Sequence, residues 1–309
     1  MPSTIIKKVY VLDGGLLTLE ASTLTSGLRQ GEQVDVPVAL YLLETSLGYI
    51  LVDTGNDPEV IGDPVATWGK ELADFVWPTM SEANHPAVQL GLVGVAPSDV
   101  RLVIYTHLHH DHAGGARLFP QAVHVVQASE LRWAYAPDRY ARRGYLRSDF
   151  DHGLRWLGVE GDVALLPGVQ LIHTPGHSPG HQSIMLDVPE AGTVIVCGDS
   201  VNTRDNVRLD VAPGITVSAA EAVVSIHRLI AMASWHDALL LPSHDLEFWG
   251  LLPKAPNPLA IVPASQREFW LEGMRRLYGE SLMPSALMAK ERPDVSLAAR
   301  KGVPAGQRK

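Results

Sequence analysis

The 309-residue chain contains a single cysteine, Cys197, which excludes a disulfide framework. Its longest apolar runs, at 38–43 and 238–241, fall far short of the roughly 20 residues of a transmembrane helix. The N-terminus lacks the apolar segment of a signal peptide. Basic residues are outnumbered, with 25 Lys and Arg against 34 Asp and Glu, and form no stripe suited to a phosphate backbone. These absences predict a cytoplasmic protein that binds neither membrane nor nucleic acid.

What the chain does contain is 46% hydrophobic residues, enough for a well-filled core. β-Rich segments alternate with helical patterns. We predict strands at 38–44, 49–53, 100–105, 123–126, 169–172, 182–188, 193–197 and 238–241. A capping box, Ser218-Ala-Ala-Glu221, predicts a helix that continues to about Trp235. Because hairpins are mixed with helices, the pattern favours an α/β sandwich over a doubly wound sheet.

We expect one domain over residues 1–290, followed by a flexible C-terminal tail over 291–309. Residues 56–95 lack clean periodicity, which predicts a surface excursion that acts as a lid or an interface. Its aromatic residues Trp68, Phe75 and Trp77 fit either an apolar pocket or a core or dimer contact. A homodimer is compatible with this composition.

The segment THLHHDHAGG, residues 106–115, crowds potential metal ligands into one loop after a predicted strand. Three further candidates, His177, Asp199 and His244, each follow the end of another predicted strand. Strand ends on one edge of a sheet converge in space, and the loops there carry function. The sequence therefore predicts a single site built from four loops.

The spacing within the loop indicates two ions. His107 and His109 face the same way in an extended segment and can bind one ion together. Asp111 and His112 are adjacent and cannot readily point to the same place, so a second ion is implied. Gly114-Gly115 would let the backbone turn tightly enough to present both groups. The predicted ligands are His107, His109 and His177 for the first ion, Asp111, His112 and His244 for the second, and Asp199 as the bridge between them.

Other residues offer alternatives to this ligand set. His181 competes with His177 for the first ion, whereas His110 and the remaining histidines are interpreted as ordinary surface or core residues. Cys197 is predicted to be a small buried hydrophobe rather than a thiolate ligand. Imidazole and carboxylate ligands suit zinc, but also iron, cobalt or manganese.

The complete set of motifs resembles the metallo-β-lactamase superfamily over roughly residues 5–250. Four segments look in particular like bacterial N-acyl homoserine lactonases: residues 36–55 (VPVALYLLETSLGYILVDTG), 106–115, 173–183 (HTPGHSPGHQS) and 242–245 (PSHD). The resemblance implies an αββα sandwich, two divalent ions of the zinc class held by the seven residues above, and hydrolysis of a lactone ester.

The resemblance also implies how the reaction proceeds. Two such ions lower the pKa of a shared water from 15.7 to about 7, which makes hydroxide available for attack on the ester carbonyl. Asp111 resembles the aspartate that passes a proton to the leaving alkoxide. Asp53 resembles a residue that orients a ligand histidine, although a turn cap explains it equally well.

One position departs from the lactonase pattern. The best-known lactonases carry a tyrosine three residues after the bridging aspartate, where this chain has Asn202, whose amide donates a hydrogen bond but is shorter and cannot ionise. Three explanations stay open: Asn202 binds the substrate carbonyl itself, one of Tyr135, Tyr140 and Tyr145 reaches in, or the substrate differs.

A second enzyme class uses the same metal motif. A glyoxalase II-like thioesterase would need a cationic patch for the carboxylates of glutathione, which Arg139, Arg142 and Arg143 would supply. We therefore keep this class as the alternative to a lactonase.

Overall fold

The computed structural model describes residues 4–189 and 191–260. The strands are β1 (Ile6–Glu20), β2 (Gln33–Thr45), β3 (Gly48–Val52), β4 (Trp77–Thr79), β5 (Val100–Ile104), β6 (Val123–Gln127), β7 (Arg155–Val159), β8 (Val163–Leu166), β9 (Val169–His173), β10 (Gln182–Val188), β11 (Gly192–Val196) and β12 (Leu239–Leu241). The α-helices are α1 (Pro64–Trp68), α2 (Lys70–Ala73), α3 (Pro86–Gly91), α4 (His110–Ala113), α5 (Ala128–Tyr135), α6 (Arg147–Phe150), α7 (Arg204–Arg208), α8 (Ala219–His236) and α9 (Leu246–Leu251). The predicted tail at 291–309, like the end of the predicted domain from 261, lies outside the described residues.

The strands form two sheets, one of seven strands in the order β4-β1-β2-β3-β5-β6-β7 and one of five in the order β12-β11-β10-β9-β8. In the first sheet β3, β5, β6 and β7 are parallel. In the second, β9 and β11 both run antiparallel to β10, and β12 is parallel to β11. The strands that precede the candidate ligands therefore have their C-terminal ends at the same end of each sheet.

The two sheets pack face to face, with helices on both outer faces. Between the sheets, Val11 and Val52 share a buried cluster with Ile184 and Val196. The outer face of the seven-stranded sheet packs against α3 and α6, and that of the five-stranded sheet against α8. This mixed α/β layering confirms the predicted sandwich. No helix in residues 4–189 and 191–260 has the length and apolar character needed to cross a membrane.

The predicted strands and the long helix are confirmed to within two residues at most ends, except that β2 begins earlier, at Gln33. Ser218 caps α8 as predicted, its Oγ accepting a hydrogen bond from the Glu221 N–H at 3.3 Å. Strand β1 was missed, because the Gly14-Gly15 pair in its centre is typical of a turn. In the structure the register shifts there, between Asp13 and Leu16, so the pair forms an irregularity within one long strand.

The 56–95 excursion is more regular than its sequence indicates. It contains three short α-helices and β4, which pairs antiparallel with β1 as the edge strand of the larger sheet. The excursion is therefore joined to the larger sheet through β4. Its helix α2 lies beside the candidate site.

Candidate metal centre

The candidate ligands are held on loops that follow four strand ends. The 106–112 loop follows β5, and His177, Asp199 and His244 follow β9, β11 and β12. The larger sheet thus supplies the candidate ligands of the 106–112 loop, and the smaller sheet supplies His177, Asp199 and His244. Their meeting point lies where the two sheet edges face each other.

The first group consists of three imidazoles. The Nε2 atom of His177 lies 3.2 Å from Nε2 of His107 and 3.0 Å from Nδ1 of His109. Three nitrogen atoms at a Zn–N distance of about 2.0–2.1 Å in a tetrahedron would be about 3.3 Å apart. The spacing of this group therefore fits one cation.

The second group lies on the other side of Asp199. The Asp111 Oδ2 atom is 3.5 Å from Nε2 of both His112 and His244. The Oδ1 atom of Asp199 lies 3.2 Å and 3.3 Å from the same two nitrogen atoms, while its Oδ2 atom lies 3.4 Å from Nε2 of His177. One carboxylate thus faces both groups, one oxygen to each.

The hydrogen bonds around the histidines leave the correct nitrogen atoms free for a metal. Nδ1 of His177 donates to the Ile215 carbonyl at 2.8 Å, and Nδ1 of His244 donates to the Pro37 carbonyl at 2.9 Å, so Nε2 of each ring carries a lone pair. The buried atoms His112 Nε2 and Asp199 Oδ1 have no hydrogen-bond partner. Buried polar atoms rarely lack a partner, so these atoms fit a pair of divalent ions.

The charge states of two histidines in the first group and of Asp199 also suit a metal. Burial lowers the pKa of both His107 and His109 well below the usual range, which keeps these imidazoles neutral, the form that binds metal. Burial alone would raise the pKa of Asp199, but the surrounding histidines, His244 first, hold it well below the usual range. The bridge position is therefore occupied by a carboxylate.

Asp53 forms a hydrogen bond that positions His112 of the second group. Its Oδ2 atom accepts hydrogen bonds from Nδ1 of His112 and from the Thr106 hydroxyl, each at 2.8 Å, and its Oδ1 atom accepts the Thr106 N–H at 2.7 Å. Of the two roles left open by the sequence, the geometry favours orientation of a ligand histidine.

His181 has a different position from the one considered for it. Its Nε2 atom accepts the N–H of Asp199 at 2.9 Å, and its Nδ1 atom lies 2.9 Å from Oγ1 of Thr174. Both ring nitrogens are engaged, so His181 fixes the backbone of the bridging aspartate and is not among the clustered donors. Spacing alone gave no signal for this role, because it depends on a contact between two loops.

The remaining sulfur and imidazole candidates lie outside both groups. Cys197 is fully buried, and burial raises the pKa of its thiol. His110 is also buried, with its ring centroid 4.7 Å from that of Trp68. Neither residue belongs to a cluster of metal-binding donors in the described part of the chain.

The glycine pair in the histidine loop is required by space rather than by backbone angle. Gly114 has φ −57° and Gly115 has φ −84°, which any residue can adopt, so the predicted reason for the pair was wrong. A Cβ atom on Gly114 would lie 2.2 Å from the backbone N of Asp57, and one on Gly115 would lie 2.5 Å from the carbonyl O of Thr54. The loop thus packs directly against the backbone that follows β3.

We expect Gly114→Ala to destabilise the protein by about 1–3 kcal/mol or more, because the clash involves backbone atoms that cannot swing away. Thermal and urea unfolding would measure the change. Gly250→Ala in α9 is the matched control, since a Cβ atom there meets nothing within 4 Å and alanine favours a helix. Equal stability of the two variants would contradict the close approach.

A cavity of about 290 Å³ opens above the two donor groups. Its floor includes His109, Asp111 and Asp199, and its walls are mostly apolar. The apolar lining comprises Leu17, Leu19, Leu24, Leu72, Phe75, Val76, Ile215 and Val217. Phe75 therefore lines the cavity, whereas Trp68 is a core residue and Trp77 is half exposed on β4.

Comparison with known proteins places this geometry in a family. The family model of the metallo-beta-lactamase superfamily matches the sequence over residues 34–244, a range that runs from β2 to the candidate ligand His244. The chain belongs to the metallo-beta-lactamase superfamily. The two donor groups described above fit divalent metal ions.

Several members of the superfamily are similar over most of the chain. N-acyl homoserine lactonase AttM of Agrobacterium fabrum is 34% identical over 257 residues, or 81% of this chain and 97% of AttM. N-acyl homoserine lactonase AiiA of Bacillus thuringiensis subsp. kurstaki is 34% identical over 242 residues, or 78% and 94%. A solved N-acyl homoserine lactone hydrolase, with N-hexanoyl-L-homoserine bound at its catalytic metal centre, aligns with a TM-score of 0.76 and 32% identity over 83% of this chain and all of that one. The resemblance to lactonases is thereby confirmed.

The position at which the sequence departs from the lactonase pattern lies in the cavity wall. Asn202 lines the cavity, with Nδ2 3.3 Å from the Leu24 carbonyl and Oδ1 accepting from the Ser243 hydroxyl at 3.3 Å. Of the three tyrosines considered, Tyr135 donates to Asp151 and Tyr145 to Glu130. Tyr140 lines the cavity but is 66% exposed.

Proposed function

We propose that this protein is a dinuclear metal-dependent lactonase that opens the lactone ring of N-acyl homoserine lactones. The observation that carries the proposal is Asp199, which faces both donor groups at the floor of an apolar cavity. The relatives that are 34% identical over most of the chain are lactonases. The seven predicted ligands are the residues proposed to hold the ions.

The two ions, when bound, supply Lewis acidity and a water of lowered pKa. The protein's own side chains then orient the substrate and move the proton. Asp111 lies on the cavity floor, within 3.5 Å of two of the proposed ligand nitrogens, where its carboxylate can accept a proton from the attacking water and return it to the leaving alkoxide. The lactone carbonyl would thus lie between Asp111 on the cavity floor and Asn202 in the cavity wall.

The apolar walls fit an acyl chain. Leu72, Phe75 and Val76 come from the 56–95 excursion, and Leu17 and Leu19 from β1, so the cavity lies between the excursion and the sheet. Each CH₂ group that is buried there would contribute about 0.8 kcal/mol. We therefore propose a preference for acylated lactones over the bare ring.

We propose zinc as the resident metal, since three imidazoles and a carboxylate at this spacing suit it. The cytoplasmic location, the homodimer and the lack of nucleic-acid binding remain part of the proposal. The acidic balance of the chain supports the last point.

The test is proton release by the zinc-loaded protein on N-acyl homoserine lactones of increasing chain length, with a chelator-treated control. We expect metal-dependent ring opening whose kcat/KM rises by up to about fourfold per CH₂ until the cavity is filled. S-lactoylglutathione is assayed in parallel. Turnover of this thioester without any lactone turnover would overturn the proposal.

The glyoxalase II-like alternative is not favoured. The relatives that are 34% identical over most of the chain are lactonases, and of the three arginines considered for glutathione only Arg143 lines the cavity. Arg143 already contacts Glu71 at 3.4 Å and lies over the Phe75 ring. A free cationic patch is therefore missing from this wall of the cavity.

We expect Asn202→Ala to lower kcat/KM by about tenfold, equivalent to roughly 1.4 kcal/mol for one lost hydrogen bond to the substrate carbonyl. Tyr140→Phe is the comparison variant and should change kcat/KM by less than about twofold. Steady-state kinetics on one long-chain lactone would measure both. The opposite ranking would assign the hydrogen bond to Tyr140.

A further inference from the structure

Glu130 is a buried acid that the mechanism above does not use. It lies in the first turn of α5 and is 0% exposed. No lysine or arginine forms an ion pair with it within residues 4–189 and 191–260. Burying a carboxyl group without a cation is costly unless its oxygens are hydrogen-bonded, so its surroundings require an explanation.

Both oxygens of Glu130 accept hydrogen bonds from the loops that carry the first donor group. Oε1 accepts the Leu108 N–H at 3.1 Å and the Tyr145 hydroxyl at 2.9 Å. Oε2 accepts the Ser178 hydroxyl at 2.6 Å and the Gly180 N–H at 3.2 Å. Leu108 stands between two of the proposed ligands of the first ion, and Ser178 directly follows the third.

Tyr145 adds a second connection to the same group. Its ring packs edge-on against that of His109, with centroids 4.5 Å apart. The preceding residue, Gly144, approaches so closely that a Cβ atom would lie 2.6 Å from Cδ2 of His109. The hydroxyl bond to Glu130 therefore fixes a ring that in turn holds a proposed ligand in place.

We propose that Glu130 is a positioning residue for the first metal site, joining the loop from the larger sheet to the loop from the smaller sheet. His107 and His109 come from one sheet and His177 from the other, and no strand pairing links these loops. Asp53 supports His112 of the second group, while Glu130 contacts none of the second group's side chains. The inference rests on the proposed two-metal site.

The variant Glu130→Gln would test this positioning role directly. The Leu108 and Gly180 amides can only donate, and they bond to different oxygens of Glu130. A glutamine must therefore place its NH₂ group against one of these two N–H groups, whichever way the amide is turned. One loop would lose its backbone contact, although the side-chain volume is unchanged.

The experiment measures Zn²⁺ affinity by competition with a chromophoric chelator, in two backgrounds that each retain one donor group. His244→Ala leaves the first group and His177→Ala leaves the second. We expect Glu130→Gln to weaken Zn²⁺ binding by about 10–100-fold in the His244→Ala background and by less than about threefold in the His177→Ala background.

Two milder variants keep the test decisive if Glu130→Gln does not fold, as judged by circular dichroism of the metal-free protein. Tyr145→Phe and Ser178→Ala each remove one hydrogen bond to Glu130 and should weaken the first group alone, by a smaller factor. Tyr105→Phe is the matched control, since it removes a buried hydroxyl contact to His124 at 2.9 Å, and His124 is not a proposed ligand.

The possible outcomes separate the two proposals. Equal weakening in both backgrounds, or none in either, would overturn the positioning role of Glu130. If wild-type protein binds no Zn²⁺ that depends on His177 or His244, the proposed two-metal site itself fails.

Discussion

Asp199→Ala is expected to abolish retention of both metal ions and to lower lactone turnover by at least about 10³-fold, or roughly 4 kcal/mol. The reason is geometric, because the two oxygens of Asp199 lie 3.2–3.4 Å from ligand nitrogens of both groups. Removal of the carboxylate also takes away a negative charge that faces both donor groups and would offset the charge of the two cations. Metal content after gel filtration and kcat on a long-chain lactone would be measured together.

Asp205→Asn is the matched control for this variant. Asp205 follows Asp199 by one short loop but is only partly buried, and its side chain forms an ion pair with the exposed Arg208 at 3.5 Å. It should retain two ions per chain and full activity. Retention of two ions by Asp199→Ala would refute the bridging role, whatever happened to turnover.

Asp111→Asn should lower kcat by about 10²–10⁴-fold at saturating zinc, with a much smaller change in KM. The amide has the size of the carboxylate and keeps one oxygen for a metal, but it cannot accept the proton of the attacking water or deliver it to the leaving alkoxide. Rates at several zinc concentrations would separate this loss from weaker metal binding.

The leaving group provides the control for Asp111. A thiolactone of the same acyl chain expels a thiolate, which is a far weaker base than an alkoxide and leaves without protonation. The loss on the thiolactone should therefore be smaller than on the lactone. An equal loss on both substrates would show that Asp111 acts as a metal ligand only.

The sequence was most informative where chemistry depends on local pattern. The H-x-H-x-D-H spacing after a β-branched strand, and single acidic or histidine residues after three other strands, indicated which side chains would meet. The predicted strands placed these residues at strand ends without any knowledge of sheet order. The sequence was least informative where glycine pairs occur, at Gly14-Gly15 within β1 and at Gly114-Gly115.

Some roles depend on contacts that have no sequence pattern. Asp53, His181 and Glu130 each bond to a loop that is 18 to 59 residues away along the chain, as in the contacts of His181 with Asp199 and of Asp53 with His112. Such distances exceed the range of helix or strand periodicity. Of these three roles, only that of Asp53 was considered in advance, through a family resemblance, whereas His181 was considered as a ligand and Glu130 was not considered.

By itself, the sequence determined the residue types of the candidate metal centre and the strands whose ends carry them, because ligand chemistry and side-chain alternation are local properties. The tertiary structure alone decided how the donors divide around Asp199, which carboxyl groups hold them and which wall receives Asn202. These features arise only when the two sheets pack face to face, since each donor group combines residues that follow strands of both sheets.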